Sequence, residues 1–398
     1  MKRLLLVTER FWPEEFVVND LAAEAVRRGY SVTVLTQQPS YPYGRMPCGR
    51  KNWFLSRETW EGVKVVRFKT VLGYRESLFY KLFNYIWFAS YGTLVSLFIR
   101  HRFDHVLIYQ TGPLTMAVPA IIYSKVRRVP LTIWTQDVWP DTVYAYGFRK
   151  TNMLSRSLDV FIRWVYQSTS AILVSCPGFK RTLSKYTSKP MVYVPNWPLT
   201  AYEHNTDEIT ISNQPVFLFA GNIGKVQNLE NVINGYAIAS RKAEFFGLLR
   251  IVGDGSALNE IKRLVADIGV RVDFPGRKLA SDMVGEYDRA SFLVLSLTDK
   301  PIFRLTIPSK FQMYVSVGKP ILCVAEGDVK EIIETNELGV VSDAMSPESI
   351  SLAFLKLASA SPCEVRKWQR NLRNFFSNEY DRLKIISTIL SAIEETGV

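Results

Sequence analysis

The chain has 398 residues, 47% hydrophobic and 22% charged with both signs present; this excludes a disordered polymer and is too long for one ordinary core, so two domains are expected. The net charge of +12 is uneven: residues 1–200 carry 27 Lys and Arg against 12 Asp and Glu, a surplus of 15, and the remainder sums to −3. A basic first half fits a polyanion, an anionic membrane or a phosphate-bearing substrate, or else a basic surface kept for solubility.

In chain order, RLLLVT reads as a strand and VVNDLAAEAVRRG as a helix ending at Gly29. The apolar run before Thr8 and Glu9 is too short for a signal peptide. The loop ERFWPEEFVVND between these elements carries Trp12, Glu14 and Asn19; a second strand, YSVTVLT, leads into QQPSYPYGR with Tyr41. VKVVRF is a further strand. The stretch SLFYKLFNYIWFASYGTLVSLFI, residues 77–99, is long enough to span a bilayer, but Lys81 and Asn84 interrupt it. It fits either a helix buried against a sheet or one lying in a membrane interface. His101 and His105 flank Asp104 where a helix ends and a strand begins; histidines there suit the helix dipole, and no metal site is expected. HVLIYQ, LTIWTQD, SAILVS and MVYVP follow as strands, with helical patterns at 113–127 and 151–168. After LTIWT comes QDVWPD, which sets Asp137 beside Trp139; an acid next to an aromatic ring suits a sugar, and equally a helix cap.

Residues 195–215, PNWPLTAYEHNTDEITISNQP, hold three prolines and read as a linker. The pattern then restarts with strands VFLFAG, GLLRIVG, VRVDFPG, ASFLVLSL, PILCVA and LGVVS, separated by helices such as LENVINGYAIASR and SALNEIKRLVADIG. Continuous apolar strands alternating with helices mean parallel sheets covered on both faces, so the expected class is α/β: two doubly wound, Rossmann-like halves facing a cleft. The expected domains are 1–198, joined by a last helix at about 379–398 that packs back on it, and 206–378.

Ligands of open parallel sheets sit beyond the carboxyl ends of the strands. There the second half has NIGKVQN, with Gly221, Asn222, Gly224 and Lys225; DGS, with Gly253 and Asp254; PGRK, with Arg277; and TDKPIFRLTIPSK, with Lys300, Arg304, Ser309 and Lys310. Two lysines, an arginine and the helix start after Pro308 suit a diphosphate, unless the basic loop is an ordinary solvated surface. Neither a dinucleotide fingerprint nor a Walker loop is present, which argues against an oxidoreductase or an ATPase. No D-x-D occurs, and the four cysteines are scattered without a C-x-x-C pair, so no metal, cofactor or disulfide framework is expected.

The order RRGYSVTVLT, FAGNIGKVQNLENVI, IVGDGS, VDFPGR and IPSK…GKPIL resembles glycosyltransferase family 4, of the GT-B fold, nearly end to end. RFWPEEFVVNDLAAEAVRRGYSVTVLTQQPSYP and DVWPD look closest to the bacterial surface-polysaccharide L-N-acetylfucosamine transferase-like subgroup. The resemblance implies a retaining, metal-independent transfer from a nucleotide-activated sugar, here UDP-linked. It implies an acceptor-binding first domain using Trp12, Glu14, Asn19, Tyr41 and Trp139, and a nucleotide-sugar-binding second domain. Gly221 to Lys225 would line the diphosphate with Gly253 and Asp254, Arg277 would meet the base, and Arg304, Ser309 and Lys310 would lie at the phosphate-binding helix start. Lys225, Lys310 and Asp137 are the implied catalytic residues, with Gln136 in a place where many relatives have histidine. Other departures are Asn222 for an arginine and Leu305 and Met313 for a pair of glutamates; Glu326 or Asp328 would supply the missing ribose contact.

On this reading the leaving diphosphate is held by Lys225, Lys310 and the helix N-terminus while the acceptor hydroxyl attacks from the same face and gives its proton to the departing phosphate oxygen. The expected acceptor is a lipid-diphosphate-linked glycan of O-antigen or capsule synthesis, the expected location the cytoplasmic side, peripheral to the inner face of the plasma membrane, and no nucleic acid is expected. A nucleotide-sugar epimerase of the same fold and a non-catalytic membrane-associated assembly partner are the alternatives.

Overall fold

The computed structural model describes residues 1–73, 77–99, 101–139, 152–199, 202 and 214–396. They form two compact units, Met1–Pro195 with Arg382–Val398, and Asn196–Asp381. Most of the expected 195–215 linker lies outside the described residues.

The first unit is built on an eight-stranded sheet: β1 (Arg3–Thr8), β2 (Ser31–Gln37), β3 (Leu55–Trp60), β4 (Val63–Phe68), β5 (His105–Gln110), β6 (Leu131–Thr135), β7 (Ala171–Val174) and β8 (Met191–Tyr193), in the order β3-β4-β2-β1-β5-β6-β7-β8. β5 and β6 are buried at every residue, as strands covered on both faces must be. The sheet is not wholly parallel, as had been expected: β3 pairs antiparallel with β4 through a turn at Glu61 and Gly62, whose φ values of 48° and 77° are those of a tight hairpin. β3 reads LSRETW, polar enough for an edge, which is why apolar runs do not reveal it.

Helix Leu78–Leu97 starts at Ser77, whose Oγ accepts the Phe79 N–H at 3.2 Å. It buries Asn84, Phe88, Val95 and Ser96 and leaves Phe79, Phe83 and Ile86 exposed. Among the described residues no helix is long and apolar enough to cross a membrane. Helix Arg382–Glu395 returns to this unit and buries Ile385, Ile386, Ile389, Leu390 and Ile393. Arg28 reaches its Ser387 at 2.7 Å, and Lys2 and Tyr30 both reach its Glu394.

The second unit carries a six-stranded parallel sheet: β9 (Val216–Ala220), β10 (Leu248–Val252), β11 (Val272–Gly276), β12 (Phe292–Ser296), β13 (Ile321–Val324) and β14 (Gly339–Val341), ordered β11-β10-β9-β12-β13-β14. Phe217, Phe292 and Phe354 pack together in its core, the Phe217 ring centre 5.0 Å from tilted Phe292 and 4.8 Å from edge-on Phe354. Strand order reverses between β1 and β5 in one sheet and between β9 and β12 in the other, so each unit has a crevice at the carboxyl ends of those strands.

Candidate functional site

In the second unit the loops after β9, β10 and β11 are drawn together by their backbones. Gly221 N–H donates to Val252 O at 2.9 Å, Gly253 N–H to Gly276 O at 3.0 Å, and Ile223 N–H to Asp254 O at 2.8 Å. Gly253, with φ of 147°, lies so close that a Cβ there would overlap the Gly221 carbonyl. The result is a cavity of about 400 Å³ lined by Gly221, Asn222, Gly253, Asp254, Arg277 and Tyr287. Five of these are expected donor-site residues. Tyr287 was not expected; its hydroxyl is pushed up to about 12 by burial, so it remains a neutral donor.

Lys310 enters this crevice for a local reason. Helix Ser309–Val317 begins after Pro308, whose extended backbone and missing N–H suit a helix start. One turn in, buried Tyr314 accepts the Ala220 N–H at 3.0 Å and pins the helix to the end of β9. Lys310 is four residues earlier on the same face, so it must reach the loop after β9. Its Nζ sits 3.5 Å from the Phe219 ring centre and donates to Gln227 Oε1 at 3.0 Å. A Cβ on Gly221 would lie 2.5 Å from Lys310 Cε, so the glycine makes room for the lysine. Burial pushes the Lys310 ammonium down to about 7. Phe219 and Gln227 are site residues that sequence reasoning missed: their partner lies 83 or more positions away, and no local pattern marks them.

The other expected donor residues lie apart from this cavity lining. Lys225 and Gly224 line a second cavity of about 500 Å³, and Lys225 Nζ points to Glu260 at 3.9 Å. Exposed Arg304 is held by Asp299 through contacts of 2.5 and 2.6 Å, which raise it further above its usual range. Ser309 is exposed at the helix start. Glu326 takes Lys330 on both oxygens, at 3.1 and 2.9 Å, and the Ala344 N–H at 3.1 Å; Asp328 is buried at the first turn of helix Asp328–Thr335. Leu305 and Met313 are both part-buried.

In the first unit Trp12, Glu14, Asn19 and Tyr41, four of the five residues expected at the acceptor, hold one another. Glu14 Oε1 accepts the Ser40 and Tyr41 N–H groups, both at 2.7 Å, and burial raises its pKa. Asn19 accepts the Trp12 N–H at 3.1 Å and donates to Glu14 O at 2.7 Å. These polar groups fix the loops; the surfaces offered are the rings, half-exposed Tyr41 with Arg10 5.0 Å from its centre, and Trp12 stacked on Trp60 and flanked by Arg50. At the β1–β5 switch a buried carboxylate not foreseen from the sequence, Glu9, lies against Gly112, where a Cβ would stand 2.6 Å from Glu9 Oε2. Arg10 pairs with it at 3.3 Å, and Gln37 Nε2 donates to its Oε1 at 3.2 Å. Asp137 and Trp139 are part-buried just past β6; burial lowers the pKa of Lys81, against the opposing charges of Glu9 and Asp137. Among the described residues no group of three or more His, Cys, Asp or Glu side chains is placed to hold a metal ion.

Comparison with known proteins agrees with this layout. Residues 15–197 match the family model of the glycosyl transferase 4-like domain, and residues 214–360 that of glycosyl transferases group 1. The chain is 24% identical over 269 residues to the probable glycosyltransferase WbjE of Pseudomonas aeruginosa, covering 63% of this chain and 66% of that protein. It is 21% identical over 377 residues to the putative colanic acid biosynthesis glycosyl transferase WcaI of Escherichia coli K12, covering 87% and 89%. Among solved structures, HepE of Anabaena in complex with UDP superposes with a TM-score of 0.68 at 13% identity, covering 99% of this chain and 100% of that one. The two family models together span most of the sequence, and the chain belongs to the GT-B-fold glycosyltransferases that join a glycosyl transferase 4-like domain to a group 1 domain.

Proposed function

We propose that the chain is a retaining, metal-independent glycosyltransferase that moves a sugar, an N-acetylated amino sugar such as L-N-acetylfucosamine, from a UDP-sugar to a lipid-diphosphate-linked glycan in bacterial O-antigen or capsule synthesis. The observation that carries the donor half is Lys310, set between Phe219, Gln227 and Gly221 at the edge of the cavity lined by Asn222, Asp254 and Arg277. A cation there, beside backbone glycines and the start of helix Ser309–Val317, is suited to the charge that develops on a leaving diphosphate. Arg277 is the candidate base contact. Lys225, in the short helical turn Lys225–Gln227, and Arg304, at the end of the short helix Pro301–Arg304, would join the diphosphate when their present partners, Glu260 and Asp299, give way. UDP is the choice of nucleotide because HepE, of the same fold, was solved with it. The acceptor half rests on the rings of Trp12, Tyr41 and Trp139 with Asp137, and the polysaccharide setting on the kinship with WcaI. Replacement of two family carboxylates by Leu305 and Met313 is what favours the rival reading of a non-catalytic assembly partner.

A thermal-shift series with UDP, GDP, CMP and NAD separates the readings, since a ligand of the folded state raises the melting temperature by mass action. A rise with UDP alone is expected. A rise with GDP alone would keep the transferase and replace the donor; a response to none would transfer the weight to the non-catalytic partner.

A further inference from the structure

The first unit carries an aromatic stripe that starts at its core, where the Tyr91 ring lies 6.0 Å from that of buried Phe68, and ends exposed. On helix Leu78–Leu97 the side chains Phe79, Phe83, Trp87 and Tyr91 stand four residues apart, a spacing that sets them on one stripe. Successive ring centroids are 6.4, 6.3 and 4.8 Å apart. Phe79 is 71% exposed, Ile86 64%, and Phe98 just past the helix 73%. The stripe runs on to a second segment. Trp87 Nε1 donates to Lys69 O at 2.7 Å, Lys69 Nζ lies 4.3 Å from the ring centre of Phe54, and Lys51 Nζ lies 5.6 Å from that of Trp53. Trp53, Phe54 and Leu55 are all exposed. The carboxylate on the adjoining strand, Glu58, is held by Arg67 and Arg50, and among the described residues no carboxylate pairs with Lys51 or Lys69.

Exposed rings interleaved with lysines match the bilayer interface: amphipathic rings settle at headgroup depth and lysine stems run along them to reach lipid phosphates. The surplus of 15 positive charges in residues 1–200 has the sign that an anionic leaflet attracts. We propose that Trp53–Leu55 and the outer stripe of helix Leu78–Leu97 form one surface that seats this unit on an anionic bilayer. The inward side of the same helix carries Asn84, which accepts the Val71 N–H at 3.1 Å, and Lys81, which feels the charges of Glu9 and Asp137. A lipid-held acceptor thus arrives beside those groups. The purpose of the surface rests on the lipid-linked acceptor proposed above; its existence does not.

The test is co-sedimentation of the full chain with vesicles of phosphatidylglycerol and phosphatidylcholine in equal parts, and of phosphatidylcholine alone. Two double variants are compared, Phe54→Ser with Phe83→Ser, and Lys51→Glu with Lys69→Glu. The wild type is expected to bind the anionic vesicles, and each variant to bind them about tenfold more weakly or worse. An unchanged melting profile and circular dichroism spectrum in both variants show the fold intact. Equal binding by all three proteins, or no binding by the wild type, overturns the proposal. So does a concentration-dependent dimer that the Phe54, Phe83 variant dissolves, which would give the surface to a second copy of the chain. Lipid binding with this variant pattern but no UDP response would remove the donor reading and leave the surface standing.

Discussion

Lys310 is the residue on which the donor site turns. Burial holds it near 7, so the free protein carries a largely neutral amine at pH 8 and an ammonium at pH 6. A diphosphate beside it favours the charged form and raises its pKa. UDP binding at pH 8 is therefore expected to take up a proton that binding at pH 6 does not, and Lys310→Met is expected to abolish that uptake; calorimetry in buffers of differing ionisation heat reads it directly. In the free protein the sign is opposite: a lysine lowered on folding adds stability as pH rises from about 7 towards the ordinary lysine range. Lys310 could be picked out in the sequence because Pro308 marks a helix start and a lysine two residues on must lie in its first turn. Its partners could not. Phe219 reads as one more apolar residue of β9, and Gln227 as one polar residue of a loop, until Tyr314 fixes the helix on the strand. Glu14 and Asn19 show the reverse: their positions are where a ligand-binding loop was expected, yet their side chains are spent on holding that loop.

Among the elements, the link from Gly318 to β13 carries a buried lysine with a structural task. Lys319 Nζ donates to Asp288 O at 2.7 Å and also to Ala290 O, closing the carboxyl end of helix Met283–Arg289, while burial pushes it down to about 8. Lys319→Met leaves those buried carbonyls without a donor and is expected to cost about 2–3 kcal/mol, seen as a lower urea midpoint with an unchanged slope. The parallel strands were readable as apolar runs because both of their faces are covered. β3 was not, since LSRETW shows an edge pattern that apolar counting passes over. Helix Pro362–Glu379 was also unread, although a signal for it exists: Ser361 and Glu364 form a capping box, and Val365, Trp368 and Leu372 follow at helical spacing.

At the scale of the whole molecule, the first unit is assembled from two distant pieces of chain. Removing residues 382–398 would strip five buried aliphatic side chains, each contributing about 1.5–3 kcal/mol, a total comparable to the 5–15 kcal/mol by which a whole domain is stable. The truncated protein is expected to lose the first unit's melting transition, followed by proteolysis or calorimetry, while the second keeps its Lys310 site. The same return of the chain sets an order of events on the ribosome. Translation delivers all of Asn196–Asp381 before helix Arg382–Glu395 emerges, so the later-encoded unit can close first while the earlier one waits, incomplete, with the faces that Ile386 and Ile389 will cover still open to solvent. For this chain the usual progression, amino-terminal domain first, is expected to run backwards, with the apolar faces of the first unit open to chaperones until helix Arg382–Glu395 arrives.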